Sequence, residues 1–284
     1  MKVFDIFRQI APPAGVSRLP VNRHATWYTW SKSFRDFLKQ NADGLQQLNA
    51  PKLIRIPGLN KKYNLSFSSS TTSRLSTNAR ATLLNFARGL YMMRPSGQML
   101  FFDDLICDYL DGQQLHSLFA CLRGAIVETA GDELAAIYSP LISDVGKKNL
   151  GFPLHADLYI PQVLFNVFDA VPSDDSGASV FLSVSTLKSI MSRTPKLPST
   201  RRNEIIRLLH EETGVDRFEN TYDLLHGNYE WVAALETAMS ERQFRIKFQR
   251  GQGYMLNDRK WLHGREGQSS PIRKDRLHRL VFGL

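Results

Sequence analysis

The sequence predicts a mainly β protein with flanking helices, an α+β fold with a double-stranded β-helix (jelly-roll) core and a helical lid insert. Three observations lead there. Short β-rich runs begin near residue 135 and are separated by turn residues. A polar stretch of helical character over 186–243 interrupts them. Strand-like runs then return from 244 to 284, too few to close a core by themselves, so the two β-rich parts belong together. The prediction is one domain over 1–284. Loops and supporting helices occupy 1–134, core strands 135–185 and 244–284, and the insert 186–243.

Taken in order, residues 1 to about 78 read as irregular, punctuated by Pro12, Pro13, Pro20, Pro51 and Pro57. The serine-rich run over 66–73 reads as a loop or an edge segment. Thr77-Asn78 offers an N-cap, and ARATLLNFARGLYMM has helical periodicity, ended by Arg94-Pro95-Ser96-Gly97. A second helix covers roughly Gln113 to Thr129 and is closed by Gly131. AAIYSPLI, FPLHADLYI, QVLFNVFDAV and ASVFLSV read as strands, with a turn at Asp174-Asp175-Ser176-Gly177. Within the insert, Ser199-Thr200 precedes RRNEIIRLLHEE and Asn228 precedes YEWVAALETAMSE, two capped helices. FRIKFQ, GYMLND and RLHRLVFGL supply the last strands, with Gly251 and Gly253 between the first two.

A chain of 284 residues can bury a sizeable core, and 43% hydrophobic with 22% charged residues is ordinary for a globular protein. No apolar run is long enough to span a bilayer, and the opening MKVFDIFRQIAPPAG lacks the apolar stretch of a secretory signal. Cys107 and Cys121 are the only cysteines, which excludes a disulfide framework and a cysteine-based zinc site and fits a reducing, cytoplasmic compartment. The formal net charge of +9 favours acidic partners, nucleic acid included. Because Lys and Arg are spread along the chain, it reads first as a solvated basic surface.

Two His-x-acid triplets occur, His155-Ala156-Asp157 and His210-Glu211-Glu212. Alternate residues of a strand point the same way, so His155 and Asp157 can converge on one ion. His210 and Glu212 sit in a helical pattern, where i and i+2 diverge, and His210 reads as a solvated helix residue. Taken alone, His155 reads as a hydrogen-bonded residue at a strand end. The C-terminal segment shifts that reading: Gly253-Tyr254-Met255-Leu256-Asn257-Asp258-Arg259-Lys260-Trp261-Leu262-His263-Gly264-Arg265, then Asp275-Arg276-Leu277-His278-Arg279. Two histidines and one carboxylate can hold a ferrous ion on one face and leave the opposite positions open. A nearby guanidinium can grip a carboxylate co-substrate bidentately. His155, Asp157 and His263 are therefore the candidate catalytic metal ligands, and Arg276 is the candidate arginine.

These segments resemble the C-terminal signature of the Fe(II)/2-oxoglutarate dioxygenases, particularly the taurine dioxygenase and clavaminate synthase-like group. In that group a glycine-led strand ends in an Asn-x-Arg turn, a Leu-His-Gly-Arg step carries the distal iron ligand, and an Asp-Arg strand start supplies the co-substrate arginine. Phe152-Pro153-Leu154-His155-Ala156-Asp157 resembles the proximal ligand motif. Ser176-Gly177-Ala178-Ser179 stands where the group often has Gly-Gly-x-Thr, which makes Ser179 a co-substrate contact by resemblance. The resemblance spans roughly Leu150 to Phe282 without the insert, and it departs from the pattern at that degraded element.

The resemblance implies Fe(II), 2-oxoglutarate as co-substrate and molecular oxygen, with Arg276 pairing the distal carboxylate of 2-oxoglutarate. Arg273 and Arg279 are rivals. Alternation puts Arg276, His278 and Leu280 on one strand face and Leu277, Arg279 and Val281 on the other; with Arg276 inward, Arg279 points outward and His278 lies beside the site. The implied chemistry yields succinate and carbon dioxide and oxidises an unactivated C–H bond of a small molecule, such as an amino acid or a biosynthetic natural-product intermediate. Hydroxylation, desaturation, cyclisation and epimerisation all use the same oxidant. The stretch from about Ser189 to Ser240 is the candidate lid, and Asn166 and Phe168, on the strand face opposite Phe165, are candidate pocket lining. Two other functions are weighed against this one. A nucleic-acid-directed demethylating dioxygenase would suit the charge, although no aromatic-plus-basic recognition stretch is evident. A non-catalytic jelly-roll binding protein would not need the full ligand set.

Overall fold

The computed structural model describes residues 6–13, 26–41, 44, 52–54, 65–67, 75–93, 97–106, 112–132, 135–143, 151–156, 162–171, 175–210, 215–267 and 275–283. The elements in chain order are β1 (Phe7–Ile10), β2 (Thr26–Trp30), α1 (Lys32–Asn41), β3 (Lys52–Ile54), β4 (Leu65–Phe67), α2 (Thr77–Met92), β5 (Leu100–Phe102) and α3 (Gly112–Ala130). They continue with β6 (Ala136–Ser143), β7 (Phe152–His155), β8 (Gln162–Ala170), β9 (Ser179–Ser183), α4 (Val184–Met191), α5 (Ser199–His210), α6 (Val215–His226) and α7 (Val232–Arg242). The last strands are β10 (Phe244–Ile246), β11 (Gly253–Asn257), β12 (Trp261–Arg265) and β13 (Asp275–Gly283).

Two sheets face each other, flanked by helices, so the fold is mixed α and β. The larger is ordered β1-β2-β5-β11-β8-β13-β6 and the smaller β10-β9-β12-β7, while β3 and β4 pair separately. Leu164, Tyr254, Leu256 and Val281 of the larger sheet meet Phe181, Phe244, Ile246 and Trp261 of the smaller in one apolar cluster. The far face of the larger sheet, with Phe165, Val167, Met255, Leu280 and Phe282, packs on Leu83, Phe86 and Leu90 of α2 and on Leu115, Leu118 and Phe119 of α3. The far face of the smaller sheet, with Leu154, Val180, Leu182 and Leu262, packs on α4 to α7. The chain thus stacks helices, sheet, sheet and helices. Strands covered on both faces read as nearly continuous apolar runs, which is why QVLFNVFDA and LHRLVFG do not alternate cleanly.

The N-terminal stretch departs from the irregular reading. Thr26-Trp27-Tyr28-Thr29-Trp30 is rich in β-prone residues and forms β2, which pairs with β1 and runs parallel to β5. Trp30 is buried, and its indole N–H donates to the Leu105 carbonyl at 2.7 Å. The Ser31 hydroxyl accepts from the Phe34 amide at 3.1 Å and caps α1. Most of the serine-rich run, 68–73, and Arg94-Pro95-Ser96 lie outside the described residues.

The helix ends show small shifts. The cap of α2 is Ser76, one residue before the expected Thr77-Asn78, and its hydroxyl accepts from the Ala79 amide at 3.2 Å. Gly131 ends α3 in the left-handed region at φ 69°, its amide donating to the Val127 carbonyl at 2.8 Å. Asn228 does not cap α7; a turn intervenes, and Trp231 occupies the cap position without a side-chain bond.

The helical insert is bound to the core by a buried ion pair as well as by apolar packing. Arg217 of α6 and Asp258 of the β11–β12 turn lie 3.2 Å apart, 1% and 0% exposed. Arg217 also donates to the carbonyls of Leu208 and Leu209 at the end of α5, each at 2.9 Å. One guanidinium therefore joins two insert helices to the turn that leads into β12.

Candidate active site

β12 follows β11 through a tight turn in which Asn257 Oδ1 accepts from the Arg259 amide at 3.0 Å and the Asn257 carbonyl accepts from the Lys260 amide at 2.9 Å. That turn sets the register of β12 between β9 and β7. His263 is opposite Phe181 on one side and His155 on the other. Cross-strand partners project to the same face, and Phe181 belongs to the cluster between the sheets, so both histidines look into that space. Their ring centroids are 4.4 Å apart with planes at 48°. His155 is 6% exposed and His263 4%.

The backbone had to be shaped for this approach. The pairing of β12 with β7 shifts register between His263 and Arg265, where Arg265 is opposite Phe152. Four residues of β7, Phe152 to His155, therefore stand against three of β12, His263 to Arg265, a bulge beside His155. Gly264 makes room for it. A Cβ there would lie 2.6 Å from the Phe152 carbonyl oxygen and 3.0 Å from the Pro153 backbone. Gly264→Ala is expected to push β7 off β12 and weaken metal binding by about tenfold or more, a loss of the size seen when the support of a ligand is disturbed. Titration of Fe(II) beside a thermal melt checks this, since general unfolding would lower both together.

The tautomer of His155 follows from its neighbour. Its Nδ1 lies 2.8 Å from the Pro153 carbonyl oxygen, which can only accept. Nδ1 therefore carries the proton, and Nε2 keeps a lone pair for a metal. Two buried imidazoles on adjacent strands form a borderline nitrogen donor set that suits Fe(II). Among the described residues no third His, Cys, Asp or Glu joins them in a metal-binding group. The expected carboxylate, Asp157, lies outside the described residues.

Across the gap, the larger sheet presents Tyr254, Asn166 and Arg279. Tyr254 is opposite Asn166, and Asn166 is opposite Arg279. The Tyr254 ring lies 6.5 Å from that of His263 and 4.9 Å from that of Phe181. Arg279 Nε–H donates to Asn166 Oδ1 at 3.0 Å. The histidine pair thus faces Tyr254, whose cross-strand partner Asn166 accepts from a half-buried guanidinium.

The faces of β13 reverse one expectation. His278 looks away from the histidine pair: its ring stacks on Phe119 at 5.3 Å, and its Nδ1 lies 2.8 Å from the Tyr138 hydroxyl. Leu280 and Phe282 share that helix-side cluster, whereas Val281 lies between the sheets. Among the described side chains, the arginine of β13 on the inter-sheet face is Arg279. Arg276 pairs with Ile142 and with Ala170, at a register shift against β8, and nothing of its side chain is described. Arg273 lies outside the described residues. His278 belongs to the support behind the sheet.

Ser179 is 7% exposed and opposite Ile246 and Arg265, two positions along β9 from Phe181, so it faces the same space. Asn166 and Phe168 face the gap and Phe165 faces the helices, as alternation predicts. In the insert, Trp231 is buried against Tyr229 at 4.5 Å, and Arg201 pairs with Glu204 at 2.6 Å. These are packing and surface roles within the insert. No helix among the described residues is long and apolar enough to cross a membrane.

The sequence reading overlooked one feature, a stripe on α6. Phe218, Tyr222 and His226 recur at i, i+4 and i+8, on one helix face. The Phe218 ring meets His155 at 5.8 Å, the Tyr222 ring meets Phe152 at 6.1 Å, and His226 Nε2 lies 2.7 Å from the Leu154 carbonyl. The stripe lies along β7, the edge strand that carries the first histidine. Its spacing was readable in FENTYDLLH once that segment is taken as a helix.

No family model matches this chain, and no curated protein matches it. Solved structures do show likeness. It is similar to an asparagine oxygenase in complex with Fe(II), 2S,3S-3-hydroxyasparagine and succinate, at 13% identity over 90% of this chain and 92% of that one, with a TM-score of 0.46. It is similar to PvcB, an Fe, alpha-ketoglutarate dependent oxygenase from an isonitrile synthetic pathway, at 13% identity over 92% and 86% of the two chains, TM-score 0.41. A taurine dioxygenase from Burkholderia xenovorans is similar at 13% identity over 74% and 82%, TM-score 0.36. Likenesses this distant carry no argument about the chemistry, which is read from the residues of this chain.

Proposed function

We propose that the chain is an Fe(II)- and 2-oxoglutarate-dependent oxygenase with a jelly-roll core, acting on a C–H bond of a small molecule. The observation that carries this is the cross-strand pair His155 and His263, buried between two facing sheets with rings 4.4 Å apart. His155 Nε2 and the His263 imidazole would hold the metal with Asp157, two residues beyond His155. Iron bound there would supply the coupling of oxygen reduction to the decarboxylation of 2-oxoglutarate and to oxidation of the substrate.

The protein's part is placement. Pro153 and the α6 stripe fix the His155 ring, and Gly264 lets β7 approach. Asn166 orients Arg279 through its Nε–H, and the Nη pair of a guanidinium matches the two oxygens of a carboxylate. Arg279 is thus assigned to the distal carboxylate of 2-oxoglutarate, with Ser179 as a neighbouring hydroxyl on the opposite sheet. The rings of Phe181, Tyr254, Phe168 and Phe248 line the gap with apolar surface and keep water from the reacting centre. The insert serves the site through α6, which closes the edge beside His155.

The test is succinate formation from 2-oxoglutarate by the iron-loaded protein in air. Release of succinate that needs both iron and oxygen is expected; an iron-loaded protein that neither binds nor consumes 2-oxoglutarate would overturn the proposal. Arg279→Ala should raise the 2-oxoglutarate concentration for half-maximal rate by about ten- to a hundredfold, the worth of a charge-assisted contact of roughly 1.5–3 kcal/mol. Arg276→Ala should change it far less. Steady-state kinetics in 2-oxoglutarate for both variants decides between the two arginines.

A further inference from the structure

A basic cleft lies at the end of the smaller sheet, where β9 runs into α4 and β12 begins. It has a volume of about 650 Å³ and is lined by Lys188, His210, Arg242, Lys260, Ser185 and Thr186 among others. The four basic residues come from four separate places: Lys188 from α4, His210 from the end of α5, Arg242 from the end of α7, and Lys260 from the β11–β12 turn. Among the described residues no carboxylate lines the cleft, and Lys188, Arg242 and Lys260 enter no ion pair. Elsewhere the surface cations are commonly neutralised, as in Lys32–Asp36, Arg80–Glu128, Arg201–Glu204 and Arg245–Glu266. Like charges gathered around one concave surface repel one another and focus a positive potential into it.

The floor of the cleft is fixed by backbone. The Val184 amide donates to the Lys260 carbonyl at 2.9 Å, so the basic turn is tied to the first residue of α4. The Ser183 hydroxyl accepts from the Thr186 amide at 3.1 Å and lies 2.9 Å from the Ser185 hydroxyl. The Trp261 indole N–H donates to the Gly97 carbonyl at 3.0 Å, and its ring packs on Phe244 in the inter-sheet cluster. The cleft is lined by Trp261 and not by His263. The cleft is therefore a place of its own.

We infer that this cleft binds a small organic phosphate, with Lys188, Arg242 and Lys260 pairing its oxygens and the hydroxyls of Ser185 and Thr186 donating to it. Two ammonium groups, one guanidinium and two hydroxyls suit a compact polyanion with many acceptor oxygens. A half-open cleft of this volume, with its cations converging from four elements, fits a small ligand better than a polymer, which tracks an extended groove. The inference does not depend on the oxygenase reading.

The probe is inorganic pyrophosphate, titrated calorimetrically at low and moderate salt into wild-type protein, Lys188→Gln, the double variant Arg242→Gln with Lys260→Gln, and a control double variant. The control, Lys32→Gln with Arg80→Gln, removes the same charge from helices on the other side of the molecule. Saturable binding of one pyrophosphate is expected, weakened about ten- to a hundredfold in the cleft double variant, less in Lys188→Gln, and unchanged in the control. Lys188 is exposed on α4, so its variant reports on the cleft even where the double variant fails to fold. Adenosine diphosphate run beside pyrophosphate separates two sources of the phosphate: a nucleotide gains affinity over the inorganic ion, and a bare phosphate site does not. Absence of saturable binding, equal weakening in the control, or displacement of pyrophosphate by a single-stranded oligonucleotide would each overturn the inference.

Discussion

Replacing His263 with alanine is expected to remove iron binding and succinate formation together while the protein stays folded. The ring lies opposite His155 on the neighbouring strand, its centroid 4.4 Å away, and the Tyr254 ring 6.5 Å away faces it from the other sheet. Loss of a partner that merely supports a metal ligand costs about 10- to 100-fold in affinity, and loss of a ligand itself should exceed that. His278 is the internal control. It is equally buried, at 1% exposure, but its Nδ1 faces the Tyr138 hydroxyl and its ring stacks on Phe119 behind the sheet. His278→Gln should therefore leave the iron affinity within about threefold of wild type. Calorimetric Fe(II) titration and a succinate assay on both variants check the contrast. Iron bound by His263→Ala with wild-type affinity would remove the site from this place in the fold.

The second large effect concerns stability. Asp258→Ala removes the carboxylate that lies 3.2 Å from the Arg217 guanidinium, in an interior where the guanidinium is 1% exposed and also donates to two backbone carbonyls. Breaking a buried pair on one side costs about 3–5 kcal/mol, and in a chain of this size that lowers the melting temperature by on the order of 10 °C. The pair joins α5 and α6 to the turn before β12, so the damage should concentrate in the insert and reach the edge of β7 through Phe218 and His226. Replacing both partners, Arg217→Met with Asp258→Leu, should restore most of the lost stability, because neither charge is then stranded. Thermal unfolding of the single and double variants measures this. A double variant no better than Asp258→Ala would mean that the cost lies in packing and not in the broken ion pair.

Much of the fold was legible because its signals are local. The strands over 135–184, the helix starting at Thr77 and the glycine closing α3 follow from periodicity and turn chemistry within a few residues. The histidine pairing was legible only as an ordered set of motifs. Its geometry depends on a bulge between β12 and β7 and on room made by Gly264, and both are relations between distant segments. The N-terminal strands were not legible: β1 and β5 are four and three residues long, and proline-rich stretches around them mask the pattern. The choice among the arginines was not legible for a different reason. Alternation correctly separated His278 and Leu280 from Arg279 and Val281. But β13 is paired on both sides and covered on both faces, so both sets contain buried apolar residues. Hydropathy cannot say which face of such a strand looks toward the second sheet. The α6 stripe was missed because its aromatic residues are diluted by Glu219, Asn220 and Asp223 on the other faces of the helix.

X-ray absorption at the iron edge of the Fe(II)-loaded protein tests most directly whether the two histidines share one cation. One iron per chain with two imidazoles in its coordination shell is the expected result, falling to one imidazole in His155→Ala and in His263→Ala loaded at high iron. A spectrum unchanged by either substitution, or no imidazole in the wild-type shell, would contradict the assignment.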